Sequence, residues 1–262
     1  MYAMCEGLSH SRHSCPDIKM NYEERFYRNR MKAEDLEYFQ VLEFETDLFL
    51  GVDGSAMNSI LPQMVCNNVR QLRQSIVRYN ENHPDFISGL IPLALDKHAI
   101  PIVRDMLEAG KKTEVGPMAA VAGAVSKYVG QILAPFSKEI IVENGGDLLI
   151  KTQKIRRVAL YTGNPEFTDI GLMIKPRENP LGVCTSSGTM GHSLSFGKAD
   201  TVTVISEDIP LADAAATALG NRIKTPEDIV RGLDWIKTIP GILGALIIIE
   251  DQLGAWGEIE LG

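Results

Sequence analysis

Long apolar runs are missing from this sequence: no stretch in its 262 residues stays apolar long enough to cross a bilayer as a helix. The N-terminal MYAMCEGLSHSRHSCPDIKM has no apolar core, so it is not expected to act as a signal peptide, and Cys5 follows no hydrophobic segment that would mark a lipid anchor. A basic surplus is missing too. Lys and Arg number 26 against 34 Asp and Glu, a formal net charge of −8. Binding a phosphate backbone needs a basic surface, so nucleic acid is excluded as a partner. An acidic chain that takes a phosphorylated ligand must compensate locally, with a metal ion or with helix N-termini. Cysteine is sparse, and Cys5, Cys15, Cys66 and Cys184 show no paired spacing; reduced thiols and a cytoplasmic location are the expectation. Cys5, His10, His13 and Cys15 fit no standard zinc spacing. Repeats and low-complexity segments are absent.

What is present fits a soluble α+β protein. Hydrophobic residues make up 45% and charged residues 23%, enough to build and solvate a sizeable core. Residues 1–20 are polar and irregular and are expected to form a flexible tail. No linker interrupts 21–262, which are expected to fold as a single domain. Alternation from Gln40 to Gly54 predicts a half-buried strand, with Asp53-Gly54 as a turn after it. Val65, Val69, Leu72, Ile76 and Tyr79 recur at helical spacing over 59–82, with Arg70, Arg73 and Arg78 on a solvated flank and His83-Pro84 as the stop. A helix over Pro101–Ala109 is expected to stop at Gly110. Residues 115–134, VGPMAAVAGAVSKYVGQILA, form a small-residue helix opening on Gly116 and Pro117. Four strand-like runs follow, over 139–143, 147–151, 156–162 and 170–175. A charged helix over 226–237, a buried strand over 245–250 and a last edge strand in AWGEIEL close the chain. Helices cluster early and strands late, which predicts a mixed or antiparallel sheet packed by helices. The terminal strand leaves an edge on which a second copy could form a homo-oligomer.

Chemistry concentrates between Cys184 and Asn221. Thr185, Ser186, Ser187, Gly188 and Thr189 form a hydroxyl- and glycine-rich loop suited to phosphate or ribose, or simply a polar turn. His192 titrates near neutrality and is the candidate general base, against the plainer role of a loop hydrogen-bonder. Thr201–Ser206 reads as a strand, and a helix starts near Pro210 with Asp208 as N-cap. On it Asp213 and Thr217 lie four apart and share a face. Such a pair can supply hard oxygen ligands; an Asp near a helix start can equally serve the dipole. Gly116, Pro117, Met118 and Ala119 open the small-residue helix, whose N-terminus can meet a phosphate or pack tightly against a sheet. Asn144-Gly145-Gly146-Asp147 is a hairpin turn on which a flat ring could rest, with Asp147 closing the turn or reaching a ribose.

Taken in order, VGPMAAVAGA (115–124), VENGGD (142–147), CTSSGTMGHSLSFGKAD (184–200), ADAAATALGNR (212–222) and GAWGEIEL (254–261) resemble the ApbE superfamily of flavin-handling proteins, most closely an uncharacterised branch of it. The resemblance covers about Glu37 to Leu261. It implies an ApbE-like fold, binding of FAD and Mg²⁺, and transfer of FMN to a serine or threonine of an acceptor protein with release of AMP, or hydrolysis of FAD to FMN and AMP. It implies that Asp213 and Thr217 hold the metal with a backbone carbonyl near Ala120, that Gly145 and Gly146 contact the flavin, and that Thr185, Ser186, Ser187 and Gly188 form the Thr-Ser-Gly loop. Two departures stand out. Transferring members carry Lys-Gly where this chain has Ala122-Gly123, and His then Asp-Pro where it has His192-Ser193-Leu194-Ser195. A flavin or nucleotide carrier that has lost the chemistry is therefore the alternative.

Overall fold

The computed structural model describes residues 2–4, 28, 32–188 and 197–262. Among them a nine-stranded sheet runs in the order β1 (Tyr2–Met4), β2 (Leu36–Glu43), β3 (Thr46–Asp53), β4 (Ile140–Asn144), β5 (Asp147–Lys151), β8 (Leu181–Ser186), β9 (Thr201–Ser206), β10 (Ile242–Ile249), β11 (Gln252–Gly257). Every pairing is antiparallel except β1 with β2. Strands β6 (Arg156–Ala159) and β7 (Gly171–Ile174) form a separate two-stranded sheet. The helices are α1 (Leu61–Asn82), α2 (Asp85–Ser88), α3 (Pro101–Thr113), α4 (Val121–Leu133), α5 (Ile209–Arg222) and α6 (Asp228–Ile236). The α+β expectation holds.

The layers follow from side-chain alternation. In β10, Ala245, Ile247 and Ile249 join the core under the helices, whereas Leu246 and Ile248 join a second core with Val158, Leu160, Leu172 and Ile174 around the β6–β7 pair. A strand buried on both faces reads as a continuous apolar run, as Ala245–Ile249 does. Helix α5 lies at the centre and packs on β8, β9, α3 and α4. Its alanines and two glycines allow this: a Cβ on Gly182 of β8 would stand 3.0 Å from Ile209 Cα, and one on Gly123 of α4 would stand 2.7 Å from Ile209 O.

All helices from α1 to α4 lie between β3 and β4 in sequence. A clasp closes this block. Asp53 N–H donates to Ser137 Oγ (2.9 Å), and Asp53 Oδ2 accepts from Ser137 Oγ (2.9 Å), Lys138 N (2.8 Å) and Glu139 N (3.1 Å). It sits where β3 ends and β4 begins to pair with it.

Several expectations are corrected. The run from Gln40 to Gly54 is a hairpin, broken at Phe44, which takes φ 52°. The two-residue break preserves the alternation and so hides it. Arg70 and Arg73 are not simply solvated: Arg70 Nε donates to Glu43 Oε1 (2.9 Å), and Arg73 pairs with Glu45 and Thr46. Gly110 does not stop α3, which runs on to Thr113 and ends at Glu114 in the left-handed region; the glycine is there because Val115 O would stand 2.8 Å from a Cβ. The small-residue helix begins as a 3₁₀ turn over Pro117–Ala120 before α4. Cys66 is disulfide-bonded, against the expectation of reduced thiols, because the fold rather than the sequence spacing decides which thiols meet. No helix of the described residues is long and apolar enough to cross a membrane. Beyond Tyr2–Met4, the residues read as a flexible tail lie outside the described ones.

Candidate functional site

Helix α5 delivers Asp213. Pro210 sits in its first turn and Asp208 takes the N-cap position, though with no side-chain capping bond. Asp213 Oδ2 accepts the Gly123 N–H at 2.8 Å, and the Ala122 N–H also bonds to this carboxylate. These are the second and third residues of α4, whose own N-cap is Ala120. Asp213 therefore caps α4 from a different helix, satisfying donors that a helix start leaves orphaned. The first N–H, of Val121, bonds to Met118 O. The leading N–H groups of α4 are thus taken within the fold. Thr217 lies one turn on from Asp213, half-buried, and its hydroxyl makes no hydrogen bond among the described residues.

The sheet delivers Asp147. Asn144 pairs with Asp147 across the β4–β5 hairpin, and Gly145 (φ 71°) and Gly146 (φ 105°) form its two-residue turn. Both positions need φ > 0, which glycine adopts at little cost. Asp147 shares a strand face with Leu149, which belongs to the core under the helices, so Asp147 points toward α4 and α5. Its Oδ1 accepts the Thr185 N–H (3.2 Å). Asn144 Nδ2 donates to Ala122 O (3.2 Å) and ties the glycine turn to the start of α4.

Two carboxylates are thereby brought together in the interior. Asp147 is 8% exposed and Asp213 7%, and neither forms an ion pair among the described residues. Burial raises Asp213 to about 7, against the pull of the Gly123 and Ala122 N–H groups. Burial, then the charge of Asp213, push Asp147 well above the usual carboxylate range. Cys184 faces the same side of β8. Burial, then the charges of Asp147 and Asp213, push its thiol well up, so the reactive thiolate is disfavoured and Cys184 is a buried packing residue.

The other sequence candidates divide. Gly116, Pro117, Met118, Ala119 and Ala120 form the approach to α4, with Gly116 N–H bonded to Leu90 O (3.0 Å). Only the N–H of Thr185 joins the site: its hydroxyl lies against Thr203 Oγ1 (2.9 Å) on the sheet face away from the helices. Ser186 is buried on the helix side, two residues beyond Cys184. Gly188 N–H bonds to Ala199 O (2.9 Å), and Ser187 precedes it at this neck. Thr189 and His192 lie outside the described residues. Sequence reasoning missed Asn144 and the capping role of Ala122 and Gly123. A glycine inside an otherwise good helix was the available signal for the second.

Among the described residues, no three His, Cys, Asp or Glu side chains converge on one point. A cation held here would take the carboxylates of Asp147 and Asp213, and the Thr217 hydroxyl, the Ala120 carbonyl or oxygens of a ligand would complete its shell. That all-oxygen set with few carboxylates fits Mg²⁺, which usually keeps room for water and substrate phosphates.

A family model described as AbpE bacteria matches residues 28–234. A UPF0280 protein of Methanosarcina acetivorans is 39% identical over 231 residues, 87% of this chain and 89% of that protein. One from Methanocaldococcus jannaschii is 38% identical over 224 residues, covering 82% and 88%. The flavin transferase ApbE from Vibrio cholerae superposes with a TM-score of 0.57 at 12% identity, over 85% of this chain and 96% of that one. The flavinyl transferase ApbE of Pseudomonas stutzeri, in its apo form, gives 0.57 at 14%, over 85% and 94%. At such identities these two show the fold alone. By its match over residues 28–234 this chain belongs to the AbpE bacteria family, alongside the UPF0280 proteins, and its fold is ApbE-like.

Proposed function

We propose that this protein binds FAD or a related flavin dinucleotide together with Mg²⁺ at the Asp147–Asp213 site and cleaves the pyrophosphate, passing FMN to a hydroxyl of an acceptor protein or to water and releasing AMP. The observation that carries the reading is the buried pair of carboxylates with no ion-pair partner among the described residues, beside the start of α4, whose leading donors are already taken. A polyphosphate cannot approach two buried carboxylates unless a cation stands between them. Mg²⁺ held there would neutralise charge on the pyrophosphate oxygens. The chain's own contribution is positional. Asp213 is fixed by the Gly123 N–H and Asp147 by the Thr185 N–H, so both carboxylates are oriented before a ligand arrives. The glycine turn offers a surface without side chains for a flat ring. His192 is the general base of this reading, from the sequence. The cytoplasm, where flavin dinucleotide and Mg²⁺ coexist, is the expected location, and a homo-oligomer is compatible with the open edge of β11.

A second reading has one observation behind it. Where transferring members carry Lys-Gly, this chain has Ala122-Gly123: the glycine is shared, and the lysine is replaced by an alanine whose carbonyl accepts Asn144 Nδ2. A carrier that binds the dinucleotide without cleaving it would not need that lysine.

Isothermal titration with FAD, with and without Mg²⁺, followed by mass analysis for AMP and FMN, tests both. Mg²⁺-dependent binding with AMP release is the expected result. Binding with no AMP after prolonged incubation favours the carrier. Absence of binding in both titrations overturns the flavin reading.

A further inference from the structure

A charged pair lies behind the glycine turn, on the sheet face away from the helices. Glu143 shares a face of β4 with Ile141, which packs on the core around β6 and β7. Its Oε1 accepts the Gly146 N–H (3.1 Å), and its Oε2 accepts Arg28 Nε (2.6 Å). Arg28 also donates from Nη1 to Asp47 Oδ1 (2.7 Å) and from Nη2 to the Asp47 carbonyl (2.9 Å), and its guanidinium stacks 5.5 Å from the centre of the Phe49 ring. Glu143 is fully buried and Arg28 is 6% exposed.

A two-residue glycine hairpin needs no such support. The φ values of its glycines and the strand ladder already define it. A buried Arg–Glu pair is also a poor route to stability, because desolvation consumes most of the attraction. What the pair does fix is placement. Glu143 holds the turn from one face of the sheet, and Asn144, through Ala122 O, holds it from the other. Two tethers on opposite faces leave the turn one tilt relative to α4 and Asp213. The Glu143 carboxylate also claims the Gly146 N–H, so the turn does not present that donor.

We propose that Arg28 and Glu143 are a positioning pair that sets the Gly145-Gly146 turn against the candidate site. The inference rests on the flavin reading above only for the ligand used in the affinity measurement.

Two measurements on Glu143→Ala and Glu143→Gln test it. The first is amide exchange at Gly146 against Leu149, read by NMR on the full chain without ligand. The second is FAD affinity with Mg²⁺ present. Glu143→Ala is expected to speed Gly146 exchange at least tenfold, to leave Leu149 unchanged and to weaken FAD binding at least tenfold. Glu143→Gln keeps an acceptor for Gly146 and is expected to restore both to within about threefold. Wild-type exchange at Gly146, or wild-type affinity, in Glu143→Ala overturns the proposal, as does a glutamine variant no better than the alanine one. If the alanine variant fails to fold, the double variant Arg28→Met with Glu143→Leu, which replaces the pair by apolar side chains, is judged by the same two readings. If the wild type binds no FAD, the flavin reading fails, and exchange at Gly146 alone decides the positioning pair.

Discussion

Asp213→Asn is expected to stabilise the metal-free protein at pH 8 while abolishing any response to Mg²⁺. In the fold, burial raises the Asp213 carboxyl to about 7, whereas in the unfolded chain it titrates near the ordinary aspartate value of 3.8. Between those two values the folded state holds more protons than the unfolded one. The stability associated with this group is therefore fully present below about 4 and is lost as pH rises to about 7, on the order of 4 kcal/mol across the window. Asparagine stays neutral throughout and can still accept the Gly123 N–H, so the α4 cap survives. Thermal melts at pH 4 and pH 8 should show a wild-type melting temperature that falls with pH and an asparagine variant that falls less, its remaining fall belonging to Asp147, which burial still holds above the usual carboxylate range. Adding Mg²⁺ at pH 8 should raise the wild-type midpoint through mass action and leave the variant unmoved. Equal Mg²⁺ shifts in the two proteins would remove Asp213 from the metal site. A wild-type midpoint flat across this pH range would mean that the carboxylate is compensated from elsewhere.

Gly123→Ala is the counterpart in packing and is expected to damage fold and site together. Its Cβ would stand 2.7 Å from Ile209 O and 2.9 Å from Asp213 Cβ. The first neighbour is backbone and the second is the root of the capping side chain, so neither can swing aside. Helices α4 and α5 must separate, at a cost of about 2–3 kcal/mol, or roughly 5–10 °C in melting temperature. The same displacement pulls Asp213 off the Gly123 N–H, so Mg²⁺-dependent binding should fall by more than the loss of folded protein accounts for. A variant that melts within 1–2 °C of wild type would show that the two helices are not in the contact described.

The elements were legible in the sequence where local rules decide them. The α5 helix announced itself through Pro210 and its small residues, and the β4–β5 hairpin through Asn144-Gly145-Gly146-Asp147. The pairing of Asp147 with Asp213 was not legible, because it depends on β5 pairing with β8, the strand on which α5 packs, and no spacing between positions 147 and 213 encodes that. The face of Thr185 was misjudged for a related reason. In a loop its hydroxyl would be free to turn toward a ligand, but β8 continues through Ser186 and alternation commits that hydroxyl to the far side. Arg28 carries no local signal, since its value comes from Asp47 and Glu143, 19 and 115 residues away.

The Asp53–Ser137 clasp carries a consequence for how the chain folds. It joins residues 84 apart, and everything between them is the helical block. Bringing such distant points together has an entropic cost of roughly 4 kcal/mol from chain length alone, incurred before β3 and β4 can zip. Helices form in microseconds and long-range strand pairing much later. The β3–β4 seam should therefore be the last ladder to gain protection in a pulsed-exchange refolding experiment, with the β4–β5 hairpin protected ahead of it. The candidate site, built on the β5 side of that seam and on helices from both sides of it, would then be complete only when the slowest joint in the sheet has closed.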